Sequence, residues 1–141
     1  MSVSDIEQQL ESRLRAEGSD VISAYLFGSE AEGRARRESD VDLGVLLARD
    51  RFPDAALRFE RRLSLSVSLA VGLGGRELDL VVLNDAPPLL ARHIVNHGRR
   101  LVCADPEADH AFVRDTQLRA ADVEPFVRRM RRLKLERLAG S

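Results

Sequence analysis

Leu26-Phe27-Gly28-Ser29, then ten residues, then Asp40-Val41-Asp42-Leu43-Gly44-Val45 is the stretch on which the fold turns. Val21 to Phe27 is rich in β-formers and predicts a strand that breaks at Gly28-Ser29. Val41 to Leu47 predicts a second strand, with Val41, Leu43 and Val45 on one face. Strand side chains alternate, so Asp40 and Asp42 project together from the opposite face. Two neighbouring carboxylates repel each other, and a cation or a proton between them makes the pair stable. Oxygen-only ligands suit a hard cation such as Mg²⁺, which keeps waters and takes other ligands from substrate phosphates. Gly28 allows close approach of backbone to a ligand, and a helix start after it would offer free N–H groups to a phosphate.

Working outward, a third acid sits in Glu77-Leu78-Asp79-Leu80-Val81-Val82. A carboxylate among apolar strand residues needs a partner, because burying it alone is costly. A structural contact to a nearby Arg such as Arg76 is the plain alternative to a catalytic role. Taken singly, an Asp-x-Asp pair usually caps a turn and a Gly-Ser is commonplace; the ordered combination is far more restrictive.

The remaining chain supplies the frame. Ser4-Asp5-Ile6-Glu7 reads as a capping box opening a helix with Ile6, Leu10 and Leu14 on one stripe, stopped by Gly18. A helix is expected from Pro53 to about Val71, a strand over Arg76 to Leu83, and a helix opened by Pro87-Pro88 and closed by Gly98. Arg99 to Cys103 reads as a short strand. Pro106 onward reads as a helix with Phe112, Leu118, Phe126, Val127, Met130, Leu133 and Leu138 inward. The expected architecture is α+β: a small mixed sheet flanked by helices, with a C-terminal helix. One domain over 1–141 is expected, with a core of about 20–104 and a helical extension of about 106–138.

Composition sets the bounds. With 141 residues, 44% hydrophobic and 32% charged, the chain can build a core and is not of disordered or collagen-like type. Its longest apolar stretches are strand-length, so no membrane span is expected. A net charge of -1 gives no bulk attraction to nucleic acid, and no direct nucleic-acid binding is expected. The run Arg128-Arg129-Met130-Arg131-Arg132 reads first as a solvated helix face and second, with Lys134 and Arg137, as a local patch for an acidic partner surface or RNA. Cys103, the single cysteine, reads as a buried small hydrophobe. No signal peptide is visible, which makes a cytoplasmic location the expectation. His93 and His97 are four apart on a helix without an evident third ligand, His110 reads as solvated, and Tyr25 as core.

Leu26-Phe27-Gly28-Ser29 through Ser39-Asp40-Val41-Asp42-Leu43 resembles the G-S-x10-D-x-D signature of the DNA polymerase β-like nucleotidyltransferase superfamily. The short length and the Leu78-Asp79-Leu80-Val81-Val82-Leu83 strand followed by Asn84-Asp85-Ala86-Pro87 are similar to its minimal nucleotidyltransferase (MNT) members. These are the MntA-type antitoxins of HEPN/MNT toxin–antitoxin modules. Phe112-Val113-Arg114-Asp115-Thr116 and Asp122-Val123-Glu124-Pro125 resemble the tail of that group, so the likeness runs from roughly Val21 to Arg132.

The resemblance implies a polymerase β-like fold and a Mg²⁺-dependent protein adenylyltransferase, a type VII-like antitoxin. It would transfer AMP from ATP to a tyrosine of a partner HEPN RNase toxin and so neutralise it. By motif position Asp40, Asp42 and Asp79 are the catalytic and metal-ligating acids, for two Mg²⁺ ions, and Gly28 and Ser29 hold the β/γ-phosphates. Related sequences often carry basic or aromatic residues just after Gly-Ser, whereas here Glu30 and Glu32 stand there. The triphosphate is therefore expected to be neutralised by Mg²⁺ and by one of Arg34, Arg36 and Arg37. Genes of this group lie in pairs, so the neighbouring reading frame is expected to encode the toxin, and a homo-oligomer or a hetero-oligomer with the toxin is possible. Two alternatives stay open: a non-catalytic antitoxin that covers its toxin, and a nucleotidyltransferase acting on a small molecule.

Overall fold

The alternation of Val21–Phe27 drives the architecture, because this strand, β1, is apolar on both faces and must be covered twice. The computed structural model describes residues 3–28 and 40–140. β1 lies between β2 (Val41–Leu47) and β4 (Arg99–Cys103), antiparallel to both. β3 (Leu78–Val82) pairs parallel with β2 at the sheet's edge, giving the order β3-β2-β1-β4 and the expected mixed sheet. Parallel pairing needs a crossover, and α2 (Ala55–Ala70) supplies it.

One face of the sheet packs on α1 (Val3–Ala16) and α2. Ile6, Leu10, Leu14, Leu65 and Leu69 meet Ala24, Leu26, Val41, Leu43, Val45 and Leu80 in one fully buried cluster. The other face packs on α3 (Pro88–His97) and α4 (Pro106–Ala139), where Ile94 and Phe112 meet Ile22, Tyr25 and Leu46. Gly44 makes this second layer close-fitting, since a Cβ there would stand 3.0 Å from Ile94 Cγ2. Short polar caps fix the element ends. Asp54 accepts from the Leu57 N–H at 2.9 Å, and Asp105 from the Ala108 N–H at 3.1 Å. Asn84, in a 3-10 turn over Leu83–Asp85, accepts from Leu47 N at 2.9 Å and donates to Leu47 O at 3.0 Å, tying that turn to the far end of β2.

Several local readings need correction. α1 already includes Val3, so Ser4 lies inside the helix and cannot be its N-cap; Glu7 is instead paired with Arg99 at 2.5 Å. β3 is shorter than Arg76 to Leu83, because Leu83 turns into the 3-10 segment. Cys103 is half-buried rather than buried, since it ends an edge strand. The largest difference is in α4. Its 34 residues extend roughly 50 Å at 1.5 Å per residue, far longer than a sheet whose strands span five to seven residues. Only its first half lies over the sheet, so the fully buried positions are Asp109, Thr116 and Ala120, while Glu124 and Val127 in the second half are half-buried against α3. Leu118, Phe126, Met130, Leu133 and Leu138 are all exposed. Among the described residues, no helix is long and apolar enough to cross a membrane.

Candidate active site

The strand register decides which acids meet. β1 places Phe27 opposite Asp42, and β3 places Asp79 opposite the same residue on its other side. Residues paired across a ladder share a face, and adjacent strands are about 4.8 Å apart, so the Asp42 and Asp79 carboxylates stand side by side. Asp40 precedes β2 by one residue and projects from that same face, exposed at the mouth, where the Val41 N–H bonds the Glu77 carbonyl at 2.8 Å and starts the pairing. Asp79 is exposed and Asp42 is half-buried.

Gly28 ends β1 directly against Asp42. Its φ is +74°, in the left-handed region that glycine tolerates, and a Cβ would lie 2.5 Å from Asp42 Oδ2. No other residue fits there without moving the carboxylate. Backbone at the turn thus comes as close to the acid as backbone can.

Among the described residues no group of three His, Cys, Asp or Glu side chains closes around a single point. The register sets the acids in a row instead, with Asp40 just ahead of β2 and Asp42 opposite Asp79. Such a row has the donor chemistry of a hard, partly hydrated cation that completes its shell with phosphate oxygens and water. It lacks the soft or imidazole donors of a closed transition-metal site. Ser29, Glu30, Glu32, Arg34, Arg36 and Arg37 lie outside the described residues.

The other singled-out residues fall elsewhere. The rings of His93 and His97 are 4.8 Å apart and share a cleft between α3 and α4 with Arg92, Arg128 and Arg131. Glu124 joins that group, bonded to Arg92 at 3.0 Å and to Arg128 at 2.8 Å, which holds its carboxyl below the usual range. Tyr25 is core, as expected, and its hydroxyl reaches Asp109 on α4. His110 is exposed.

An α+β domain that presents paired strand acids against a glycine turn belongs to the nucleotidyltransferase class. The chain is a member of the polymerase β nucleotidyltransferase family, whose model ("Polymerase beta, Nucleotidyltransferase") matches residues 8–107. A curated relative, protein adenylyltransferase MntA of Shewanella oneidensis, is 38% identical over 77 residues, covering 55% of this chain. The match spans half the length of that relative. Among solved structures, a toxin–antitoxin crystal structure with AMP-PNP is similar at TM-score 0.62 and 28% identity, over 88% of this chain and 97% of that one. The MNT antitoxin in complex with the tri-AMPylated Shewanella oneidensis HEPN toxin gives TM-score 0.62 and 26% identity, over 91% and 98%.

Proposed function

We propose that this chain is the antitoxin of a HEPN/MNT pair and silences its toxin by transferring AMP from ATP to a toxin tyrosine. The observation that carries this reading is the register that sets Asp42 beside Asp79 with Gly28 closed against Asp42. The likeness to a protein adenylyltransferase and to an antitoxin bound to an AMPylated toxin supports the choice of acceptor. The core of about 20–104 and the helical extension of about 106–138 act as one unit.

Asp40 and Asp42 are assigned to hold Mg²⁺, with Asp79 completing the set. Two Mg²⁺ ions, when bound, supply charge neutralisation at the phosphates and favour departure of pyrophosphate. Gly28 and Ser29 are assigned to the β/γ-phosphates, together with one of Arg34, Arg36 and Arg37. Asp79 orients the incoming tyrosine hydroxyl and takes its proton. The phenolic oxygen then forms a bond to Pα, the Pα–O–Pβ bridge breaks, and its electron pair leaves on pyrophosphate. Atoms and charge balance without any further reactant.

The test is incubation of the chain with ATP, Mg²⁺ and the HEPN toxin encoded beside it. Intact-mass spectrometry should show the toxin gaining one or more AMP units, with the gain lost in Asp40→Ala. A toxin of unchanged mass after incubation with the unaltered chain overturns the proposal.

Gly28→Ala tests the turn. An L-residue in the left-handed region costs about 1–2 kcal/mol, and the new methyl must displace the Asp42 carboxylate. A displacement near 1 Å at a reacting centre lowers rate on the order of 10²-fold. AMP transfer should fall by that factor while urea melts show a loss no greater than about 2 kcal/mol. An unchanged rate would mean that the turn does not border the reaction.

A further inference from the structure

A groove of about 420 Å³ runs along the open edge of β3, between α2 and the turn that leads into α3. That volume lies in the range of about 300–1,000 Å³ typical of ligand sites. Asp79 stands at one end. Toward the other end stands Asp85, whose two carboxylate oxygens both accept from the Arg58 guanidinium, with Nη2–Oδ1 and Nε–Oδ2 each 2.9 Å. Between them the walls carry Arg62 and are otherwise apolar, and Phe59, Pro87 and Leu90 line the groove while remaining open to solvent. Beyond Phe59, the exposed Leu63 and Val67 continue the apolar stripe along α2 at four-residue spacing.

We infer that this groove is the acceptor site: it receives the tyrosine of the toxin, and the α2 stripe docks the apolar surface around that tyrosine. The inference rests on the proposed function and adds where the acceptor enters. Four features follow one another across the sheet: the Gly28 turn, Asp42, Asp79 and the groove. In-line displacement puts the attacking oxygen opposite the leaving group. With the β/γ-phosphates at Gly28, the attacking hydroxyl must arrive from the flank beyond Asp79, where the groove opens.

The lining selects the occupant. Phe59, Pro87 and Leu90 offer flat apolar surface to an aromatic ring, whose hydroxyl would lie toward Asp79. A polycationic small molecule would want several available carboxylates, yet Asp85, the only other acid among the described residues of the groove, is already committed to Arg58. Strand addition along β3 is also disfavoured. The Arg62 Nε–H occupies the Leu80 carbonyl at 2.9 Å, blunting the edge that an extended peptide would pair with. Insertion of a side chain is what remains.

The test places the photo-crosslinking residue p-benzoylphenylalanine at position 59 and irradiates the chain with toxin, AMP-PNP and Mg²⁺. The cross-link should fall on the toxin peptide that the unaltered chain AMPylates. In parallel, Phe59→Asp, a change at an exposed helix position, should raise KM for toxin at least tenfold and leave AMP-PNP affinity within about twofold, because no new charge approaches the Gly28 end. Normal AMP transfer accompanied by cross-links only to distant toxin peptides, or by an unchanged KM in Phe59→Asp, overturns the groove assignment alone. No AMP transfer by the unaltered chain overturns the proposed function and the groove together.

Discussion

Asp42→Asn is expected to lower AMP transfer by at least 10³-fold while changing the stability of the fold by no more than about 1 kcal/mol. The two effects differ widely in size, and the combination is diagnostic. Asp42 stands in register with Asp79, and like charges directly opposite each other on a sheet are destabilising. Asparagine keeps the shape against Gly28, removes one negative charge and relieves that repulsion. It also removes an anionic ligand from the place where phosphate charge must be balanced. Metal ligation at a transferring phosphoryl group is worth several kcal/mol, and about 4 kcal/mol corresponds to 10³ in rate. A purely structural acid would behave differently, with stability falling by 2 kcal/mol or more and catalysis following only through loss of folded protein. Urea melts followed by far-UV circular dichroism, beside toxin mass spectra on the same variant, separate the cases. Retention of more than a tenth of the rate would remove Asp42 from the reaction.

The two strands that hold these acids were legible because local pattern and global role agree there. β1 and β2 are continuous runs of β-formers ended by glycine or acid, and the alternation that hides Val41 and Leu43 also fixes the direction of Asp40 and Asp42. That Asp79 would share their face was not readable from alternation within its own strand. It depends on parallel pairing of β3 with β2 in the register Asp42 to Asp79, a choice made by the length of α2 and by the core under Leu80. The groove was invisible for the same reason, since Phe59 and Leu90 are 31 residues apart and look like ordinary helix positions. In α4 the sequence misled. Apolar residues at helical spacing normally face a core, but Phe126, Met130 and Leu133 lie beyond the end of the sheet. Periodicity reports that a stripe exists and cannot say what covers it. Asp109 was hidden differently, as one of two acids in a helix's first turn, where acids ordinarily face water and complement the helix dipole. A clue was present on β1, where Ser23 and Tyr25 put two hydroxyls inside an otherwise apolar strand. Buried hydroxyls require partners.

Asp109→Ala is expected to be the most damaging single change to stability away from the acids of the site. Asp109 is 2% exposed, and its carboxylate accepts three hydrogen bonds, from Ser23 Oγ at 2.6 Å, Tyr25 Oη at 2.7 Å and Arg100 Nη1 at 2.9 Å. These bonds join α4 to β1 and β4, so one side chain ties the C-terminal helix to the centre and the edge of the sheet. Burial, reinforced by the hydrogen bond to Asp109, holds the Tyr25 phenol far above its ordinary range, and Asp109 raises the Arg100 guanidinium as well. Alanine would leave two buried hydroxyls unpaired, at about 1–3 kcal/mol each. The Arg100 contribution is smaller, because that side chain is half in solvent and its ion pair is screened. The sum is about 3–5 kcal/mol, which at roughly 3 °C per kcal/mol for a chain of this size lowers Tm by about 10 °C. Tyr25→Phe should cost only about 1 kcal/mol, since Asp109 keeps Ser23 and Arg100. The double variant should then cost less than the sum of the two single changes, as coupled neighbours do. With no tryptophan in the chain, far-UV circular dichroism in urea is the suitable readout. A loss below 1 kcal/mol in Asp109→Ala, or strict additivity with Tyr25→Phe, would show that the Asp109 cluster does not hold α4 to the sheet.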